Sequence, residues 1–316
     1  GDWAVLRRAA AARRNPDPNP NPNPKPSPDS TLEHLELRGM NCRFPRRLGA
    51  ADAAGVFARL RTLVLSGTLL LEPAQLGAVL ASGALEEVTL DGLRLLSDPA
   101  PLAAAAPRLS CLRALHLPNA AALPALRLAS ASLEVLELRG CAELKELELD
   151  LPALQSLDLS YTAVTGEAVE AAVAACPQLR SLFLQGCSHV EAVMVDSPSL
   201  IVLDVSTCSS LRRLRVVGEQ LHLLQLDLCV ALEGLILDLP RLRRLDLSML
   251  PMNSLQLRAE RLRKLNLNGC SLLRSIDAKC PKLEALYVAS TPAPVESFLL
   301  GSKEKTAVLG RRSSRC

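Results

Sequence analysis

From residue 112 onward the chain repeats one frame, Leu-x-x-Leu-x-Leu, with aliphatic residues at positions one, four and six and mostly polar ones between. After Leu112, copies start at Leu123, Leu133, Leu144, Leu154 and Leu179. They continue at Val190, Leu200, Leu211, Leu221, Leu232, Leu242, Met252, Leu262, Leu273 and Leu283. Apart from one gap of 25 residues after Leu154, successive starts lie ten or eleven residues apart. Apolar–polar alternation of period two predicts short strands that bury one side. Two frames make a coil of about 21 residues with a strand on each side. The long gap, "SYTAVTGEAVEAAVAACPQ", instead sets Val169, Val173 and Cys176 at helical spacing behind Thr165, a predicted N-cap.

Earlier copies, "LEHLEL" at 32, "LRTLVL" at 60, "LEEVTL" at 85 and "LRALHL" at 112, are 28, 25 and 27 residues apart, the period of leucine-rich repeats. The segments between them predict short helices. Pro73 stands at a first-turn position with Leu76, Val79 and Leu80 on one face, and Asp98 precedes Pro99 as a cap. The expected fold class is an α/β solenoid, a leucine-rich repeat array. Helix-bearing coils lie N-terminally and two-strand (β/β) coils of about 21 residues C-terminally.

The expected domains follow from composition. Residues 1–14 form a short helix around Trp3, either the remnant of an upstream domain or an unremarkable basic helix. Residues 15–30 carry Pro at every second position from Pro16 to Pro28 and form an extended linker. The array occupies 31–292. Residues 293–316 lose the frame and form a tail or partial cap.

Leu and Ala dominate and aromatics are only 2%, so the core must be built from many similar aliphatic layers. A net charge of +3 gives no ground for a nucleic-acid partner, and no apolar run approaches the roughly 18 residues that span a bilayer. No Asn-x-Ser/Thr acceptor and no signal peptide occur, so the ten cysteines are expected to be free thiols in an intracellular setting, cytoplasmic or nuclear. Five fall at position nine of a frame: Cys141, Cys187, Cys208, Cys229 and Cys270. One thiol per coil, without CxxC pairs or neighbouring His, predicts a structural ladder and no metal.

The stretch "LQSLDLSYTAVTGEAVEAAVAACPQLRSLFLQGC" resembles the cysteine-containing repeat of F-box/LRR proteins, whose pattern runs C-P-x-L-x-x-L-x-L-x-x-C and then a short helix behind a Thr-Asp-like pair. "KCPKLEALYVAS" repeats its beginning, and Gly166 stands where the pattern has Asp. The two-strand coils look most like plant and green-algal F-box/LRR proteins of the fifteen type, over roughly residues 110–290. The resemblance implies the substrate-recognition part of an SCF-type ubiquitin ligase. In that family an F-box binds a Skp1-type adaptor and the repeats capture a protein. No F-box stands in these 316 residues, so the adaptor is expected only if one lies upstream. A non-catalytic scaffold without ligase role is the alternative.

Leucines pointing inward leave positions three, five and seven for solvent. The candidate protein-binding residues are therefore Val135, Glu137, Arg139, Asp158, Phe183, Gln185, Asp204, Gln225, Asp227, Asp246, Asn266 and Tyr287. Phe183 and Tyr287 either anchor a partner or cover aliphatic surface. Asp158, Asp204 and Asp246 recur at position five, either pairing with a basic partner or keeping a sheet soluble. The basic runs "RLRRLDL" and "RLRKLNL" read as solvated charge, without the aromatics that stack bases. His34, His116, His189 and His222 are scattered, and no GxSxG, HExxH or phosphate loop occurs. No enzyme and no cofactor are expected.

Overall fold

The computed structural model describes residues 33–38, 59–66, 80, 84–92, 100–105, 109–293 and 307–309. The expected N-terminal helix, the linker, the helical face around Leu76 and the Asp98 cap lie outside them, except that Leu80 is buried. The chain divides into two units, Gly1–Leu144 with Glu148–Ala153, and Lys145–Leu147 with Leu154–Cys316.

In the first unit, strands β1 (His34–Arg38), β2 (Thr62–Ser66), β3 (Glu87–Asp91), β4 (Ala114–His116) and β6 (Val135–Glu137) pair in parallel, one per coil. Between them come α1 (Ala100–Ala105) and β5 (Ala125–Ala129); β7 (Glu146–Asp150) sits at the division. Helix α1 is the one N-terminal helix among the described residues, and most of the segments between the other N-terminal strands lie outside them.

The second unit alternates two kinds of strand. Three-residue strands β8 (Ser156–Asp158), β9 (Ser181–Phe183), β11 (Val202–Asp204), β13 (Leu223–Gln225), β15 (Arg244–Asp246), β17 (Lys264–Asn266) and β19 (Ala285–Tyr287) form one parallel front sheet. Strand β20 (Ala307–Leu309), within the expected tail, pairs with β19. The back carries five-residue strands β10 (Ala192–Asp196), β12 (Arg213–Val217) and β14 (Gly234–Asp238) in one sheet, and β16 (Ser254–Arg258) with β18 (Ser275–Lys279) in another. The fold is a parallel β-solenoid, and the leucines at frame positions four and six stack in register as its core. Burying each contributes about 2 kcal/mol.

The long gap holds α2 (Gly166–Ala175), with Thr165 Oγ1 accepting from the Ala168 N–H at 3.3 Å. Val169, Val173 and Cys176 are buried as the spacing predicted. A Cβ on Gly166 would collide with the Ala192 carbonyl of β10, which explains the departure from the repeat pattern. Glu170 accepts the Met194 N–H at 2.7 Å, so α2 covers the first edge of the back sheet.

Position eight of each front frame turns the chain through the left-handed region: Tyr161, Gly186, Thr207, Leu228, Met249, Gly269 and Ser290 all have φ between +57° and +72°. A residue with a Cβ gives up about 1–2 kcal/mol there. Gly186 avoids that cost and also makes room, since its Cβ would stand 2.6 Å from the ring of Tyr161.

The step from a front frame to the next back frame is eleven residues at Leu200, Leu221 and Leu262, but ten at Leu242. That shortened turn holds Leu250 where the coils on either side have Cys229 and Cys270, and Pro251, which has no N–H to repeat the Val230-to-Leu228 and Ser271-to-Gly269 turn bonds. The strand that follows it, β16, fails to pair with β14. Between them a crevice of about 580 Å³ reaches inner leucines such as Leu237, Leu242 and Leu247.

Candidate functional site

Position four of each short strand is buried, which turns position five outward on the same three-residue strand. In the second unit, parallel register aligns Phe183, Asp204, Gln225, Asp246, Asn266 and Tyr287 in one row, and Asp158 lies opposite Phe183. All are half-buried, because each leans on the coils beside it. Gln185 and Asp227, at position seven, are half-buried as well, whereas Ser160, Ser206 and Ser248 at the same position are buried. In the first unit Val135 and Glu137 are half-buried and Arg139 is exposed; Glu137 Oε2 lies 2.8 Å from His116 Nδ1.

The aspartate row has a local role that neither sequence alternative contained. Asp204 Oδ1 accepts from the Ser206 N–H at 2.9 Å and its hydroxyl at 2.5 Å. Asp246 does the same with Ser248 at 2.9 and 2.6 Å, and Asp158 accepts from the Ser160 N–H at 2.8 Å. Asn266 repeats the turn with Asn268 and donates to Asp246 Oδ2 at 2.8 Å. Each side chain thus caps the end of its own strand. "LDLS" and "LDVS" were the signal in the sequence. Asp227 caps nothing: burial foremost, then the Asp246 and Asp204 carboxylates, raise its pKa above the usual carboxylate value.

Each ladder thiol donates to the position-six carbonyl of the preceding coil. The pairs are Cys141 to Leu117 at 3.2 Å, Cys187 to Leu159 at 3.0 Å, and Cys208, Cys229 and Cys270 to Leu184, Val205 and Leu247 at 3.1 Å. Burial raises the pKa of all five, to about 11 for Cys141 and Cys229, so the thiols keep their protons. At the last coil Thr291 takes the thiol's place, its hydroxyl donating to the Leu267 carbonyl at 2.5 Å. Among the described residues no group of His, Cys, Asp and Glu is placed to hold a metal ion. No helix among them is long and apolar enough to cross a membrane.

The front sheet also carries a hollow of about 480 Å³, floored by Leu223 and Leu245 and walled by Gln225, Arg244, Asp246, Lys264, Asn266, Asn268 and Tyr287. Four of the sequence candidates, Gln225, Asp246, Asn266 and Tyr287, meet there; Asp158, Phe183, Gln185, Asp204 and Asp227 do not line it. Arg244 and Lys264 were missed, because basic runs at strand starts read as plain solvation. Tyr161, 45% exposed, was missed as well, because only the turn geometry turns it outward.

Comparison with solved structures gives distant likenesses. A TLR13–ssRNA13 complex shares 16% identity at TM-score 0.34, over 79% of this chain and 42% of that one, so the chain spans less than half of it. The Leptospira interrogans LRR protein LIC12759 shares 15% at TM-score 0.29, over 86% and 93%. The functional domain of InlJ from Listeria monocytogenes, described as including a cysteine ladder, shares 17% at TM-score 0.26, over 82% and 68%. No curated protein sequence matches the chain. Residues 102–210 match the family model of the LRR repeats of FBD-associated F-box protein At5g56370, and over that stretch the chain resembles an F-box-associated leucine-rich repeat family.

Proposed function

We propose that the front sheet binds a protein, and that the chain is the substrate-recognition part of an SCF-type ubiquitin ligase of the F-box/LRR kind. The carrying observation is the row Phe183, Asp204, Gln225, Asp246, Asn266 and Tyr287, held in one register, with the last four lining a hollow. A repeated, rigid surface with two rings and several amides suits a macromolecule better than a small substrate. The same reading extends to Asp158, Gln185 and Asp227, and to Val135, Glu137 and Arg139 in the first unit. The match of residues 102–210 to F-box-associated repeats supports the ligase assignment. The eight described cysteines are free thiols, which suits a reducing compartment, cytoplasmic or nuclear.

The test is co-purification of the full-length protein from its native cells. Association with a Skp1-type adaptor and a cullin supports the ligase role, and a bound protein lost in the Phe183→Ser/Tyr287→Ser variant supports the front sheet. Capture of proteins without adaptor or cullin would leave a scaffold in its place. Capture that ignores both substitutions would move the binding face elsewhere.

A further inference from the structure

We infer that the start of strands β15 and β17 is a seat for an acidic segment of the protein partner, an inference that rests on the front-sheet reading above. Four position-two arginines elsewhere in the solenoid are answered by a glutamate at position two of the next coil, and a fifth, Arg180, meets the neutral Ile201 there. Arg61 meets Glu86 at 2.6 Å, Arg113 meets Glu134 at 3.3 Å, Arg212 meets Glu233 at 3.9 Å and Arg263 meets Glu284 at 3.2 Å. At Arg243 the next coil offers Arg263 instead, bonded backbone to backbone at 2.9 Å.

Position three repeats the fault. Arg244 lies opposite Lys264 in the parallel register, and neighbouring strands stand about 4.8 Å apart. Like charges placed directly opposite repel. Arg241 and Arg261 recur one turn earlier, and Arg241 meets only the neutral Gln220, at 2.6 Å. Among the described residues no carboxylate lies within ion-pair distance of Arg243, Arg244, Arg261 or Lys264. Asp246, the nearest acid of the hollow, has both oxygens engaged, by Ser248 and by Asn266. His222 senses the excess: after burial, Arg243, Arg241 and Arg261 lower its pKa.

Four unanswered cations beside an apolar-floored hollow fit carboxylates or phosphates with a hydrophobic side chain between them. At positions two and three the facing like charges are confined to two coils, while Lys282 continues the row of Arg241 and Arg261 into the next. The next short strand starts with Glu284 and Ala285, and the previous one with His222 and Leu223. A nucleic-acid track would need cations spread along the sheet and rings to stack bases, and Tyr287 is the one ring at the hollow.

The test uses the full chain and three fluorescent probes of equal length at physiological salt. These are a peptide alternating Glu with Leu, its Gln–Leu counterpart and a single-stranded RNA. Wild type is expected to bind the Glu peptide, at least about tenfold more tightly than the Gln peptide, with binding that weakens as salt rises. Arg244→Glu/Lys264→Glu is expected to lose that preference, while Arg213→Glu/Arg215→Glu on the back sheet keeps it, both checked for an unchanged melting temperature. Equal binding of the Glu and Gln peptides, retention of the preference by the double reversal, or tighter binding of RNA each overturns the seat. If the seat fails while Phe183 and Tyr287 still govern capture from cells, the front-sheet reading stands. If those substitutions also have no effect, that reading falls with it.

Discussion

Front and back of the second unit are built from the same frame, yet the front sheet runs unbroken from β8 to β20 while the back falls into two sheets. The frame sets how the leucines are buried and leaves each coil's fit to its neighbour to other devices. On the front those devices are local and repeated: an aspartate or asparagine cap at position five, a left-handed residue at position eight and a thiol reaching the preceding coil at position nine. The back strands have alternation and, at one end, the cover of α2. Where a single turn is shortened, the front still pairs through β15 and β17, and the back opens between β14 and β16. Parallel strands without those turn devices tolerate little misfit.

The largest test of this contrast compares one truncation on each side. Leu224, in β13, is fully buried, and Leu224→Ala is expected to cost about 3 kcal/mol, transfer plus cavity. Leu237, in β14, is half-buried and already faces the crevice, so Leu237→Ala is expected to cost about 1 kcal/mol. Urea unfolding of both variants gives the comparison. Equal losses would mean that the back is as closely packed as the front.

A smaller effect comes from repairing the short turn. Leu250→Cys and Pro251→Ala, with one Ala inserted before Met252, restore the eleven-residue step and the position-nine thiol. Strand β16 is then expected to pair with β14, and the amides on their facing edges to exchange with deuterium at least about tenfold more slowly. Two or three new ladder bonds add about 2 kcal/mol. Unchanged exchange on both strands would show that the turn is not what separates them.

Period and frame were enough to read the coils, the two-strand pattern, the α2 helix with its Thr165 cap and the buried thiols, because burial of aliphatic side chains dominates their energetics. The break in the back sheet was also written in the sequence, as a ten-residue step with Pro251 and no Cys, but one missing residue is a weak signal among steps that already alternate. The candidate face was legible only as a set of positions. Counting residue types made Asp158, Asp204 and Asp246 look like free charge, whereas an Asx turn to the serine two residues on is a matter of geometry. The same counting made Arg243, Arg244 and Lys264 look like ordinary surface. What sets them apart is a like charge one coil away, Arg263 beside Arg243 and Lys264 beside Arg244, which appears only once the register is known.

The thiol ladder gives the smallest and most selective test, since it belongs to the front alone. Cys229 donates to the Val205 carbonyl at 3.1 Å, so Cys229→Ala is expected to cost about 1 kcal/mol near neutral pH. The pH dependence carries more information. Burial raises Cys229 and Cys141 from 9.0 to about 11, so the folded chain holds protons that the unfolded chain has begun to release. Their contribution is therefore fully present below pH 9 and is lost as pH rises through about 11. Wild type should lose stability across that window, and a Cys141→Ala/Cys229→Ala variant should lose less, so that the two urea midpoints converge as pH increases. Midpoints that stay parallel would mean that these thiols ionise as readily in the folded chain as in the unfolded one, and that the front sheet holds its coils together without them.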